Sequence, residues 1–109
     1  MFYGTHCYYV YILSNVHRSV LYAGVSNDLR RRLPEHYGNR HSKRSVTGRY
    51  RVHYLLYYEA DRYILNAIAR EKELTDWSRA RKMALIATQN PGLRFLNDRF
   101  FDRWPPGDG

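Results

Sequence analysis

Tyr8-Tyr9-Val10-Tyr11-Ile12-Leu13 and, after a short connection, Ser19-Val20-Leu21-Tyr22-Ala23-Gly24-Val25 are the two stretches on which the fold turns. Both are short, aromatic and β-branched, the composition of strands rather than helices. Ser14-Asn15 starts a turn between them, so they pair as a hairpin whose connection, 14–18, is longer than a tight two-residue loop. Ser26-Asn27-Asp28 then supplies helix N-cap chemistry. Leu29, Arg32, Leu33 and His36 follow at i, i+3, i+4 and i+7, one face of a helix. Pro34 removes a backbone donor inside that helix and predicts a kink or a short regular part, and Gly38 ends it.

Working outward, 39–48 is polar and basic and reads as a loop, and 52–58 (Val-His-Tyr-Leu-Leu-Tyr-Tyr) as a third strand. A second helix opens at Asp61 or Arg62 and runs to about Thr75. Ser78 caps a third, whose inner stripe is predicted as Ala80, Met83, Ala84 and Ala87 with Arg79, Arg81 and Lys82 outside. Asn90-Pro91-Gly92 stops it. The order β-β-α-β-α-α is that of a small α+β protein with mixed α/β layers. One domain over 1–101 is expected, followed by a flexible C-terminal tail over 102–109.

A length of 109 residues suits one domain. Eighteen Lys and Arg against ten Asp and Glu give a formal charge of +8 and a pI near 9.9. That balance points first to nucleic acid and second to an acidic membrane surface. Mean hydropathy is −0.67, and no apolar run approaches the roughly 18 residues of a spanning helix, so no membrane segment is expected. Aromatic residues at 16% argue against disorder. The single cysteine, Cys7, excludes a disulfide framework and a Cys-rich zinc site and fits a reducing cytoplasm. No Lys or Arg precedes Arg18, so no secretory signal is expected. The window 28–51 carries +6 of the charge. It reads either as a solvated loop or as a phosphate-contact surface, with Arg31, Arg40, Lys43, Arg44, Arg49 and Arg51 as the nucleic-acid-binding candidates.

Glu71 breaks the pattern of its helix. It lies between Ala67 and Leu74 on the apolar stripe, where a carboxylate needs a partner, a proton or a cation. It is either a salt-bridge partner of one of the arginines or a ligand for a hard divalent cation. Arg32 and His36 share the inner face of the first helix. They either reach outward past Leu29 and Leu33, or meet a phosphate and move a proton near neutral pH. His6, His17, His41 and His53 lack metal-ligand spacing. Tyr9, Tyr11 and Leu13 alternate onto one strand face beside Tyr22, a pattern that by itself signifies packing.

Taken together, Tyr9-Val10-Tyr11, Tyr22-Ala23-Gly24 and Asn27-Asp28-Leu29 with Arg32 and His36 resemble the GIY-YIG nuclease signature. Ala67-Ile68-Ala69-Arg70-Glu71-Lys72-Glu73-Leu74 and Trp77 resemble the family's Glu-bearing helix, and Asn90-Pro91 resembles the late Asn-Pro of its small standalone bacterial members. The resemblance covers about Tyr8 to Leu96. Tyr-Val-Tyr stands in place of Gly-Ile-Tyr, Tyr-Ala-Gly in place of Tyr-Ile-Gly, and Pro34 between Arg32 and His36 departs from the pattern.

The resemblance implies a central three-stranded antiparallel sheet flanked by helices and a metal-dependent endonuclease hydrolysing DNA phosphodiester bonds. Structure selectivity and a place in DNA repair or recombination follow from the same reading. Catalytic roles are carried over to Tyr11, Tyr22, Arg32, His36 and Glu71, with Asn90 as site support. Glu71 would hold one Mg²⁺ or Mn²⁺, and Arg32 would neutralise charge on the phosphate. Tyr11 would take a proton from water, its pKa lowered by Arg32 or the metal. Tyr22 or His36 would orient water or phosphate and could replace it. The partner is DNA, branched or damaged, with RNA and a protein partner as further expectations. The location is a bacterial-like cytoplasm or nucleoid. The alternative is a non-catalytic DNA- or RNA-binding module of the same fold.

Overall fold

Tyr8–Ser14 forms the central strand, β1, of a three-stranded antiparallel sheet. Leu21–Ser26 (β2) and Tyr54–Asp61 (β3) flank it, in the order β2-β1-β3. The helices are α1 (Leu29–Gly38), a single turn α2 (Val46–Arg49), α3 (Ile64–Asp76) and α4 (Arg79–Gln89), with a 3-10 turn at Leu96–Arg99. This computed structural model describes residues 7–106. The first six residues of the expected domain and residues 107–109 of the expected tail lie outside the described residues.

Strand alternation sorts the core into two halves. Val10, Ile12 and Ala23 pack with Ala67, Leu74 and Ile86, so α3 and α4 cover one face of the sheet. Tyr11 and Leu13 pack with Leu29, Leu33, Val52, Leu55 and Leu96, so α1 covers the other. The chain is therefore α+β, a three-stranded antiparallel sheet between helices, as the order of elements and the resemblance implied. No helix among the described residues is long and apolar enough to cross a membrane.

Several boundaries and one face differ from expectation. The expected loop at 39–48 runs into the turn of α2. Val52 is not in the third strand, because its N–H donates to the Thr47 carbonyl at 2.8 Å and closes that turn. Asp61 ends β3 rather than opening a helix, and its carboxylate accepts from the Tyr63 N–H at 2.8 Å. Ser78 does cap α4, accepting from the Arg81 N–H. The inner stripe of α4 is rotated, however. Ile86 is fully buried with Met83 and Leu85 partly so, while Ala80, Ala84 and Ala87 are exposed. Larger apolar side chains gain more by burial than alanine does, and they set the orientation. At the C-terminal end, Trp104 packs beside Phe101, Tyr37 and His53.

β3 is an edge strand, and three amide side chains close its outer edge. Asn97 accepts from the Leu55 N–H at 2.8 Å and donates to the His53 carbonyl at 3.2 Å. Asn90 donates to the Leu56 carbonyl at 3.0 Å. Gln89 accepts from the Tyr58 N–H at 3.1 Å and donates to its carbonyl at 2.8 Å.

On β2, Gly24 pairs with Tyr11 and lies under its ring. A Cβ at Gly24 would stand 2.6 Å from both Cζ and the hydroxyl of Tyr11. The ring is fully buried and cannot yield. Gly24→Ala is therefore expected to lower stability by about 1–3 kcal/mol, the usual range for overpacking a core. Chemical denaturation checks this, and a variant as stable as the parent would show that the ring has room to move.

Candidate active site

The face of the sheet under α1 carries the functional side chains. Tyr11 projects from mid-β1, and α1 crosses it. The helix begins at Asp28, whose carboxylate accepts from the Arg31 N–H at 3.2 Å. It then continues through Pro34 to Gly38, so its regular part is not cut short there. Leu29, Leu33 and His36 are buried on its inner face, with Arg32 half-buried beside them. The i, i+3, i+4, i+7 pattern holds, and Arg32 and His36 stay on the side that meets the sheet.

Tyr11, 1% exposed, and His36, 2% exposed, meet with the hydroxyl 2.9 Å from Nε2. Arg32 lies near the Tyr11 oxygen, and its positive charge favours the phenolate form. The Tyr11 hydroxyl and Nε2 share one hydrogen bond, whose direction follows the histidine tautomer. Glu35 holds Arg32 at 2.9 Å and Arg31 at 3.0 Å. Arg32 in turn holds the Glu35 carboxyl below the usual carboxylate range. The Tyr22 ring, half-buried on β2, meets the His36 ring edge-on at 6.1 Å.

Burial decides the protonation of this cluster. It pushes the Tyr11 hydroxyl up to about 12, outweighing the charge of Arg32. The lowered Tyr11 pKa expected from Arg32 is thus corrected, because loss of water costs the phenolate more than one neighbouring cation returns. Burial, reinforced by Arg32, pulls His36 down to about 4. Both groups are neutral over the physiological range.

Glu71 is placed differently. It is half-buried on α3 between Ala67 and Leu74, on the stripe that faces β1 and β2, the strands of Tyr11 and Tyr22. Its Oε2 accepts from the Thr75 hydroxyl at 2.6 Å. Among the described residues it makes no hydrogen bond or ion pair with Tyr11, Tyr22, Arg32 or His36, and its helix covers the opposite face of the sheet. Three of the five predicted residues, Tyr11, Tyr22 and His36, are in direct contact, and Arg32 lies beside them on α1. No group of three or more His, Cys, Asp or Glu is placed to hold a metal among the described residues. One oriented carboxylate suits a hard divalent cation that keeps most of its shell as water and phosphate oxygen. The residues present fit such an ion and no closed metal cage.

The basic candidates divide. Arg40, Lys43, Arg49 and Arg51 line one hollow of about 440 Å³ between the end of α1 and the start of β3. Arg44 is exposed outside that lining. Arg31 lies on α1, tied to Glu35 and Asn27. Asn90 makes no hydrogen bond to Tyr11 among the described residues: its amide bonds Leu56 and Arg94 and anchors β3. Sequence reasoning missed Glu35 as the residue that orients Arg32. Its i+3 spacing from Arg32 and i+4 spacing from Arg31 was the available signal.

The GIY-YIG catalytic domain model matches residues 7–84. The UPF0213 protein BH0048 from Bacillus halodurans, solved by solution NMR, is 28% identical. It superposes with a TM-score of 0.50, over 79% of this chain and 88% of that one. No curated protein matches the chain. The family match spans the sheet, α1 with Arg32 and His36, and α3 with Glu71, well over half of the sequence, and the chain belongs to the GIY-YIG family of nucleases.

Proposed function

We propose that the chain is a metal-dependent endonuclease that hydrolyses DNA phosphodiester bonds, with structure selectivity suited to repair or recombination. The observation that carries this reading is the buried Tyr11–His36 contact, with Arg32 beside it on the same helix face. A purely structural core has no need to bury a Tyr–His pair against an arginine. Arg32, 37% exposed at its side chain, is the cation of the cluster and meets the phosphate. Glu35 keeps its fork in place. Tyr22, half-buried at the rim, orients the attacking water. Tyr11 and His36 lie too deep to touch water freely, so they position Arg32 and Tyr22. Glu71 would hold the cation, which when bound would supply charge neutralisation at a phosphate; this role is tested separately from the Tyr11 cluster, because α3 covers the other face of the sheet. Mg²⁺ and Mn²⁺ both suit a lone carboxylate.

Nicking of supercoiled plasmid and of branched DNA in Mg²⁺ or Mn²⁺ tests the reading. Cleavage is expected to stop in EDTA and in Glu71→Ala. Arg32→Ala is expected to slow it by about 10²–10³-fold, the scale of losing one transition-state donor. Cleavage that survives Glu71→Ala would remove Glu71 from the site. DNA bound but uncut in either metal would assign the chain to the binding-module alternative.

The pH dependence has a definite sign. The buried Tyr11–His36 contact holds a neutral imidazole, and the His36 pKa lies near 4. Activity is expected to fall as pH drops toward 4, with no bend near the ordinary histidine value of roughly 6.5. A bend there that His36→Asn abolishes would contradict the neutral, buried histidine.

A further inference from the structure

The basic hollow does not stand alone. Arg51 lines it and also lines a second pocket of about 260 Å³ at the end of the sheet. His17, Tyr50, His53 and Tyr54 form the walls of that second pocket. The volume falls just below the roughly 300–1,000 Å³ of drug-sized sites, which suits one nucleobase. Tyr50 is 47% exposed, and among the described residues no other ring stacks on it. Tyr54 is held between Phe95 at 4.3 Å and His53 at 4.6 Å, so it is a fixed wall and Tyr50 is the open face. His53 is 5% exposed, and its Nδ1 has no hydrogen-bond partner. Arg51 itself adopts φ 55°, a left-handed backbone unfavourable to a side chain with a Cβ. A glycine would relieve it; the arginine retains a cation between the two pockets at the cost of strain.

We infer that the two pockets together form a single-strand subsite: the Tyr50 pocket takes one unpaired base, and the Arg49–Arg51 hollow takes the phosphates that follow it. Its ligand class is an unpaired nucleotide of DNA. Aromatic stacking beside a cationic groove is the general means of holding single strands without reading sequence. A fully paired duplex offers no base to the pocket. The subsite is also within reach of the proposed nuclease centre. Tyr54 pairs with Ser14, three residues along β1 from Tyr11, about 10 Å at the usual rise per residue. Tyr37 bridges the two regions, following His36 on α1 and meeting the His53 ring edge-on at 4.9 Å. This deepens the nuclease reading by naming a substrate with a single-stranded segment.

Fluorescence anisotropy with dye-labelled oligo(dT), a hairpin duplex and oligo(U), all in EDTA, tests the subsite without calling on cleavage. Tyr50→Ala is expected to weaken oligo(dT) binding by about 5- to 150-fold, the measured range for one stacked base, and to leave the duplex unchanged. Tyr50→Phe is expected to retain binding. Arg51→Gly is expected to fold at least as stably as the parent and to weaken oligo(dT) binding. Equal loss on duplex and single strand, or no loss in Tyr50→Ala, would overturn the subsite while leaving the nuclease reading intact. Tighter binding of oligo(U) than of oligo(dT) would overturn its assignment to DNA.

Discussion

The ring of Tyr11 lying across Gly24 is the constraint on which the site depends. Only a residue without a Cβ lets the central strand and β2 pair while that ring lies between them. The ring in turn delivers a hydroxyl to His36 on α1, beside Arg32. Sheet pairing, helix docking and the polar cluster are therefore one arrangement. A change at Gly24 reaches Arg32 without touching it.

Much of this was legible. The aromatic and β-branched run Tyr8–Leu13 read as a buried strand, and the spacing Leu29, Arg32, Leu33, His36 marked one helix face. The Asp28 cap and the Ser78 cap fell where short polar side chains can accept a helical N–H. The rest was hidden for physical reasons. The face of α4 depends on which apolar side chain wins the core, and three alanines outnumbered one Ile86 in a periodicity count while offering less area. The amides of Gln89, Asn90 and Asn97 act on the edge of a distant strand, a long-range pairing with no local signature. The protonation of Tyr11 turns on burial against charge, and only the packed structure weighs the two. Glu71 was legible as an anomaly on its helix, but its hydrogen bond to Thr75 and the sheet face its helix covers were not.

The site combines two environments that oppose each other electrostatically. Tyr11 and His36 are dry and neutral, which makes their hydrogen bond rigid and insensitive to pH near 7. Arg32 and Tyr22 sit at the rim, where solvent and a phosphate can reach them. The long basic segment then continues outward from α1 through the Arg40–Arg51 hollow. A small domain with a charge of +8 has no need of a separate binding module to meet a polyanion. Binding built from phosphate contacts is strongly dependent on salt.

The central claim is that the Tyr11 hydroxyl positions the reactive face rather than filling space. Tyr11→Phe removes that oxygen and keeps the ring over Gly24. Plasmid nicking by this variant, alongside its melting temperature, tests the claim most directly. The account predicts a folded protein whose cleavage is reduced severalfold or more. Nicking at the parent rate by a folded Tyr11→Phe variant would contradict it.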